Sequence, residues 1–112
     1  MRYRVRMRSD LAFLGGHRLT VYSSNGCPDC SRLKHWMKLA GVSAEEVLID
    51  EHPDAADKLE LETGKQAVPF ILVDDRTWVR GYHRELRSRF DEKVLIAELE
   101  CAIEAPGIAS ES

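Results

Sequence analysis

The sequence predicts one α/β domain with at least one parallel pair of strands. Three observations carry that expectation. From Arg18 onward, short β-branched apolar segments alternate with stretches of helical periodicity. The length of 112 residues suits one domain and is too short for two. A content of 44% hydrophobic and 31% charged residues, with a formal net charge of −3, suits an ordinary globular chain with one modest core. Intrinsic disorder, collagen and coiled coil are excluded on the same ground.

The elements come in a regular succession. Residues 19–23 read as a first strand. A helix starts near Cys27, with Pro28 in the first turn, where its missing N–H costs nothing; it presents Leu33, Trp36, Met37 and Ala40 at three- and four-residue spacing and stops at Gly41. Trp36 and Met37 are therefore expected in the core, and His35 on the solvent side. Residues 46–50 form a second strand, and residues 53–62 a second helix with Ala56 and Leu59 inward and Gly64 as its left-handed cap. Residues 70–73 form a third strand, Asp74 and Asp75 a turn, residues 76–80 the partner strand, and Gly81 closes the hairpin. The last helix begins near Asp91, with Phe90 placed to staple onto Leu95, and Val94, Leu95, Leu99, Ala102 and Ile103 inward. The predicted order is β-α-β-α-β-β-α.

Residues 1–17 read as a basic, flexible extension. Arg2, Arg4, Arg6 and Arg8, with Arg18 beyond, supply five of the sixteen basic residues against the single acid Asp10, and Gly15 and Gly16 separate the segment from the remainder of the chain. An exposed edge strand is the alternative, and an arm that touches nucleic acid is not expected on an acidic chain. The domain proper is expected over residues 18–105, with a tail over 106–112. No apolar run approaches a membrane span or a secretory leader, the best being residues 11–14, so a cytoplasmic protein without membrane attachment is expected.

Three cysteines, an odd number, argue for reactive or metal-binding thiols over a disulfide framework. Cys27, Pro28, Asp29 and Cys30 place a Cys-x-x-Cys pair where the first strand meets the first helix. There the unpaired N–H groups and the positive end of the helix dipole favour thiolate over thiol, which makes Cys27 the predicted nucleophile. The spacing returns Cys30 to nearly the same face one turn on, more buried, where it can resolve a mixed disulfide formed on Cys27. Asp29 opposes ionisation of Cys27, while Arg32 and Lys34 offset it, so the net sign stays open. Half of a zinc site is the alternative, but a second Cys or His pair at short spacing is absent from the sequence and no metal ligands are assigned. Cys101 is expected as a small hydrophobe on the apolar side of the last helix, with oxidation to a dimer as its other use.

Pro69 succeeds Val68 at the opening of the third strand. A cis bond there would turn the Val68 N–H and C=O toward a peptide-like ligand; a trans bond would make Pro69 a plain strand opener. Lys65 and Gln66 lie just before it, and Tyr82 is next to Gly81, either lining a groove beside Cys27 or covering the sheet.

Over roughly residues 18–104 the sequence resembles the glutaredoxin family of the thioredoxin superfamily. The likeness rests on Cys27-Pro28-Asp29-Cys30 with Lys34, on Val68-Pro69, and on Gly81 with Glu85 and Leu86. It implies a thioredoxin-like fold, a four-stranded mixed sheet flanked by helices, an attacking Cys27, a resolving Cys30 and a cis Pro69. It further implies that Lys65, Val68, Pro69, Gly81, Tyr82 and Glu85 bind a substrate or a small thiol, Lys65 and Gln66 resembling positions that contact the thiol's carboxylate; a solvated loop is the other reading of that pair. Asp29 stands where an aromatic residue is usual, Tyr82 replaces a second glycine, and Glu85 an aspartate; these departures count against glutathione. Trp78-Val79-Arg80-Gly81-Tyr82 also looks like the small redoxins that serve ribonucleotide reductase and draw on thioredoxin reductase, and the mycoredoxin group, which uses other small thiols, is a third relative.

The expected activity is that of a monomeric thiol-disulfide oxidoreductase in cell redox homeostasis and electron transport. It reduces protein disulfides or mixed disulfides, with glutathione, another low-molecular-weight thiol or thioredoxin reductase as donor and no bound cofactor. The alternatives are an iron–sulfur or zinc-binding protein of the same kind and an electron donor to ribonucleotide reductase.

Overall fold

A computed structural model describes residues 9–80, 82, 83, 85–87 and 89–104. In it a 3₁₀ helix (Ser9–Leu14) precedes β1 (Leu19–Ser23), α1 (Pro28–Ala40), β2 (Glu45–Leu48), α2 (Pro53–Thr63), β3 (Phe70–Val73), β4 (Thr77–Arg80) and α3 (Glu92–Glu104). From β1 onward the order is the predicted one. The strands form one mixed sheet in the order β2-β1-β3-β4. β1 runs parallel to β2 with Val21 opposite Glu46, and antiparallel to β3 with Val21 opposite Ile71; β3 and β4 form the antiparallel hairpin with Ile71 opposite Val79.

Side chains alternate across a strand, so each strand feeds both faces. Leu19, Val21, Ile71, Val73 and Val79 meet Leu33, Met37 and Ala40 of α1 and Leu95, Leu99 and Ala102 of α3. On the other face Tyr22, Phe70 and Leu72 meet Leu59 of α2, with Trp78 packed against them. Tyr22 and Trp78 stand edge to face with ring centroids 4.8 Å apart, and the Trp78 indole N–H donates to Glu62 Oε1 at 2.8 Å, closing α2 over this face. Ala55, not Ala56, joins that cluster, a shift of one position in the inward stripe of α2.

The boundary drawn at residue 18 is corrected by the 3₁₀ helix. Leu11 is 0% exposed and Leu14 3%, and both belong to the cluster under α1 and α3. With three residues per turn, side chains three apart eclipse, so these two leucines form one stripe that docks on the core. The arginines that marked the segment as an appendage lie at 2–8, outside the described residues, as do residues 105–112 of the expected domain end and tail. His17 and Arg18 join this helix to the sheet: Arg18 N–H donates to Asp74 Oδ1 at 2.8 Å, and the Arg18 guanidinium bridges Asp75 and Glu45, each at 3.1 Å.

One further expectation changes. Cys101 is exposed, off the buried stripe of Leu95, Leu99 and Ala102. Phe90 lies with its ring 5.9 Å from that of Trp36, tying the approach to α3 onto α1. Asp91 caps α3 as expected, its Oδ1 accepting from the N–H groups of Lys93 at 2.9 Å and Val94 at 3.3 Å. Among the described residues no helix is long and apolar enough to cross a membrane.

Candidate functional site

Cys27 is the N-cap residue of α1, in extended conformation at φ −101° and ψ 108°. The cap requires an acceptor for the unpaired N–H groups of the first turn, and sulfur supplies it: Cys27 Sγ accepts from the N–H of Cys30 at 3.1 Å. Pro28 opens the helix without leaving a donor unpaired. The two cysteines form a disulfide across a Cα separation of 5.2 Å. They differ in access: Cys30 is 1% exposed within the core, while Cys27 is half-buried and reaches the surface.

The turn before α1 is fixed from two sides. The Asn25 N–H donates to Asp50 Oδ2 at 2.6 Å, and the hydroxyl of the fully buried Ser23 donates to Glu46 Oε2 at 2.7 Å. The same Glu46 oxygen receives the Lys34 ammonium, and Lys34 and then Ser23 hold the Glu46 carboxyl below the usual carboxylate range. The expectation that Lys34 offsets Asp29 is thereby corrected, since the four-carbon stem of Lys34 carries its charge to β2. The partner of Asp29 is Arg89: Arg89 Nη2 lies 3.4 Å from Asp29 Oδ1, and the Asp29 side chain is only 15% exposed. Sequence reasoning missed Arg89. Its separation of sixty positions from Asp29 and its place in an irregular loop leave no periodic signal.

The residues expected to bind substrate come together in part. The Val68–Pro69 bond is cis, and Pro69 is buried at the head of β3. An open cavity of about 430 Å³ is lined by Lys65, Ala67, Pro69, Phe70, Arg80, Tyr82 and Glu85. Lys65, Pro69, Tyr82 and Glu85 thus share one concavity, which Cys27 and Cys30 do not line, while Val68 is half-buried beside it and not in its wall. Gly81 lies outside the described residues. Arg80 is the member that sequence reasoning left out, although its place two residues after Trp78 on β4 puts both on one face.

Arg80 reaches Glu85 across 3.8 Å, and His83 Nδ1 lies 3.2 Å from the other oxygen of Glu85. The Glu85 carboxyl is held below its ordinary range, first by its own backbone N–H; burial opposes this, and Arg80 and His83 add to the lowering. His83 Nε2 is 2.8 Å from Glu98 Oε2, while Glu98 Oε1 is buried without a hydrogen-bond partner. Burial pushes the Glu98 carboxyl up, and the nearby His83 only partly counters it. Gln66, read beside Lys65, turns away and donates to Glu60 Oε1 at 3.0 Å. Among the described residues no group of three or more His, Cys, Asp or Glu side chains is placed to hold a metal ion.

Comparison with known proteins gives a consistent result. The glutaredoxin family model matches residues 19–78. The glutaredoxin-like protein NrdH of Lactococcus lactis is 39% identical over 57 residues, covering 51% of this chain and 78% of that protein. The NrdH protein of Salmonella typhimurium is 32% identical over 71 residues, covering 63% of this chain and 85% of its own length. Among solved structures, the glutaredoxin of Archaeoglobus fulgidus superposes with a TM-score of 0.57 at 27% identity, over 82% of this chain and 96% of that one. The mixed sheet and its flanking helices are those of the thioredoxin-like fold.

Proposed function

The chain belongs to the glutaredoxin family and is a thiol-disulfide oxidoreductase, and from that premise we propose that it reduces protein disulfides by a dithiol route on Cys27 and Cys30. The observation that carries this reading is the cap: the sulfur of the half-buried Cys27 accepts an N–H of the first turn, and a buried Cys30 stands behind it. A thiolate at that place is favoured by the same donors and by the helix dipole.

The electrons balance in two displacements. The Cys27 thiolate attacks one sulfur of the substrate disulfide; that S–S bond breaks, its other sulfur leaves as a thiolate and takes a proton, and Cys27 is left in a mixed disulfide. Cys30 then loses its proton and attacks Cys27 Sγ, the second substrate sulfur leaves as a thiol, and the Cys27–Cys30 disulfide holds the two electrons' worth of oxidation. The disulfide is the form seen here, so a donor must return it to the dithiol.

For that donor the reading favours thioredoxin reductase over glutathione, and for the substrate a disulfide of the kind presented by ribonucleotide reductase. Glu85 stands where glutaredoxins have an aspartate that helps hold glutathione, Tyr82 replaces a second glycine, and the relatives carry the name glutaredoxin-like. The cavity with Lys65, Arg80 and Glu85 on its wall then receives the polar chain segment that flanks the substrate disulfide. A reducing cytoplasm is the compartment in which such a dithiol cycles.

Two measurements test this. Reduction of a model disulfide, monitored by NADPH consumption, is expected with thioredoxin reductase and not with glutathione plus its reductase; the reverse pattern would assign a small-thiol donor. Cys30→Ser is expected to trap protein partners on Cys27 in cell extract, and Cys27→Ser to abolish turnover. A Cys27→Ser protein with full activity would sink the assignment of the nucleophile.

A further inference from the structure

We propose that Arg89 is a positioning residue for the attacking thiolate, acting through Asp29; the inference rests on the reading that Cys27 attacks. Asp29 sits between the two cysteines, and an unpaired carboxylate there would disfavour a thiolate on Cys27. Arg89 Nη2 lies 3.4 Å from Asp29 Oδ1 and offsets that charge where it arises.

The backbone at Arg89 supports a role for its side chain. Its φ is 61°, in the left-handed region that favours glycine and asparagine. The Arg89 N–H donates to Leu86 O at 3.0 Å, and the Arg89 C=O accepts from the His83 N–H at 2.7 Å, so this conformation is fixed by the loop. A long cationic residue therefore occupies a place where a small one would fit with less strain, and its guanidinium reaches the first turn of α1. On the C-terminal side, Phe90 packs on Trp36 and Glu92 accepts from the Trp36 indole N–H at 2.6 Å, which anchors the loop against α1. Among the described residues, two other charged groups near this junction have partners of their own: Lys34 is bonded to Glu46, and Asp91 caps α3. Arg32, in the same helix, is retained in all the variants of the test.

The consequence is a dipeptide whose acid is masked in the folded protein. Asp29 keeps its carboxylate as the docking point for Arg89, and the pair presents less negative charge to Cys27 than Asp29 alone.

The test uses full-length reduced protein and iodoacetamide alkylation across pH, with mass mapping to read Cys27 alone. Arg89→Gly removes the guanidinium yet suits the left-handed backbone, so folding is preserved; its alkylation midpoint is expected to rise by about half a pH unit, the scale of one partly exposed charge pair. Arg89→Lys should restore most of that shift. Asp29→Asn should lower the midpoint, and Arg89→Gly should move it much less in that background. An unmoved midpoint in Arg89→Gly, with its thermal unfolding unchanged, would overturn the proposal. An equal shift with and without Asp29 would also overturn it, because Arg89 would then act on the sulfur directly. Loss of the premise looks different: Cys27→Ser would retain turnover whatever Arg89 does.

Discussion

His17 Nδ1 lies 2.7 Å from Asp74 Oδ2, joining the chain just after the 3₁₀ helix to the turn between β3 and β4. Both Asp74 and Asp75 have left-handed backbone conformations, at φ 53° and 59°. The Asp74 carboxyl thus fixes a turn whose backbone disfavours most residues, and the His17 contact, with the Arg18 N–H second, holds it below the ordinary carboxylate range.

A depressed carboxyl contributes stability above its unfolded value, and that contribution disappears as pH falls through the folded value. Asp74→Asn is therefore expected to lower stability by about 1 kcal/mol at pH 7. Thermal melts of the variant and the parent should converge in acid. A difference that persists undiminished below the titration of Asp74 would remove the carboxylate from the explanation.

Leu11 is fully buried although it precedes the first strand. Leu11→Ala leaves a cavity beneath α1 and α3 and is expected to cost about 3 kcal/mol. Urea unfolding read by tryptophan fluorescence would check it, with the slope unchanged.

Arg80 and Lys65 place two cations on the cavity wall. Arg80→Ala is expected to raise KM for the protein disulfide about tenfold, the scale of one charge-assisted contact, with kcat little changed. Steady-state kinetics over a range of substrate concentrations separates the two parameters. A fall in kcat at constant KM would place Arg80 in the chemical step.

Cys101 is exposed while Cys27 and Cys30 are joined. Native oxidised protein should therefore take up one equivalent of a thiol reagent per chain, and reduced, unfolded protein three. Cys101→Ser should reduce the first count to zero.

The parts of the fold that could be read in the sequence are those in which one periodic signal decides the outcome. β3 is a run of four apolar residues, all of them buried, and Cys27-Pro28 marks a helix start by the needs of its first turn. The leucines of the 3₁₀ helix escaped because three-residue spacing over six residues is overshadowed by the neighbouring arginines. Cys101 was misplaced by assigning it to the apolar side of α3; with about 3.6 residues per turn it lies off the Leu95, Leu99 and Ala102 stripe. Lys65, Pro69, Tyr82 and Glu85 were legible through a family likeness, whereas Arg80 and Arg89 depend on where a strand face and a loop bring side chains in three dimensions.

The acids at the start of β2 have a further effect. β2 is an edge of the sheet, and an edge offers unpaired backbone groups to any other strand, including that of a second copy. Only four residues long, it opens with the exposed Glu45 and Glu46, held in place by Arg18 and Lys34. A strand approaching this edge would have to displace two ion pairs and desolvate their charges, so the contacts that fasten the active-site helix to the sheet also guard the protein against edge-to-edge aggregation.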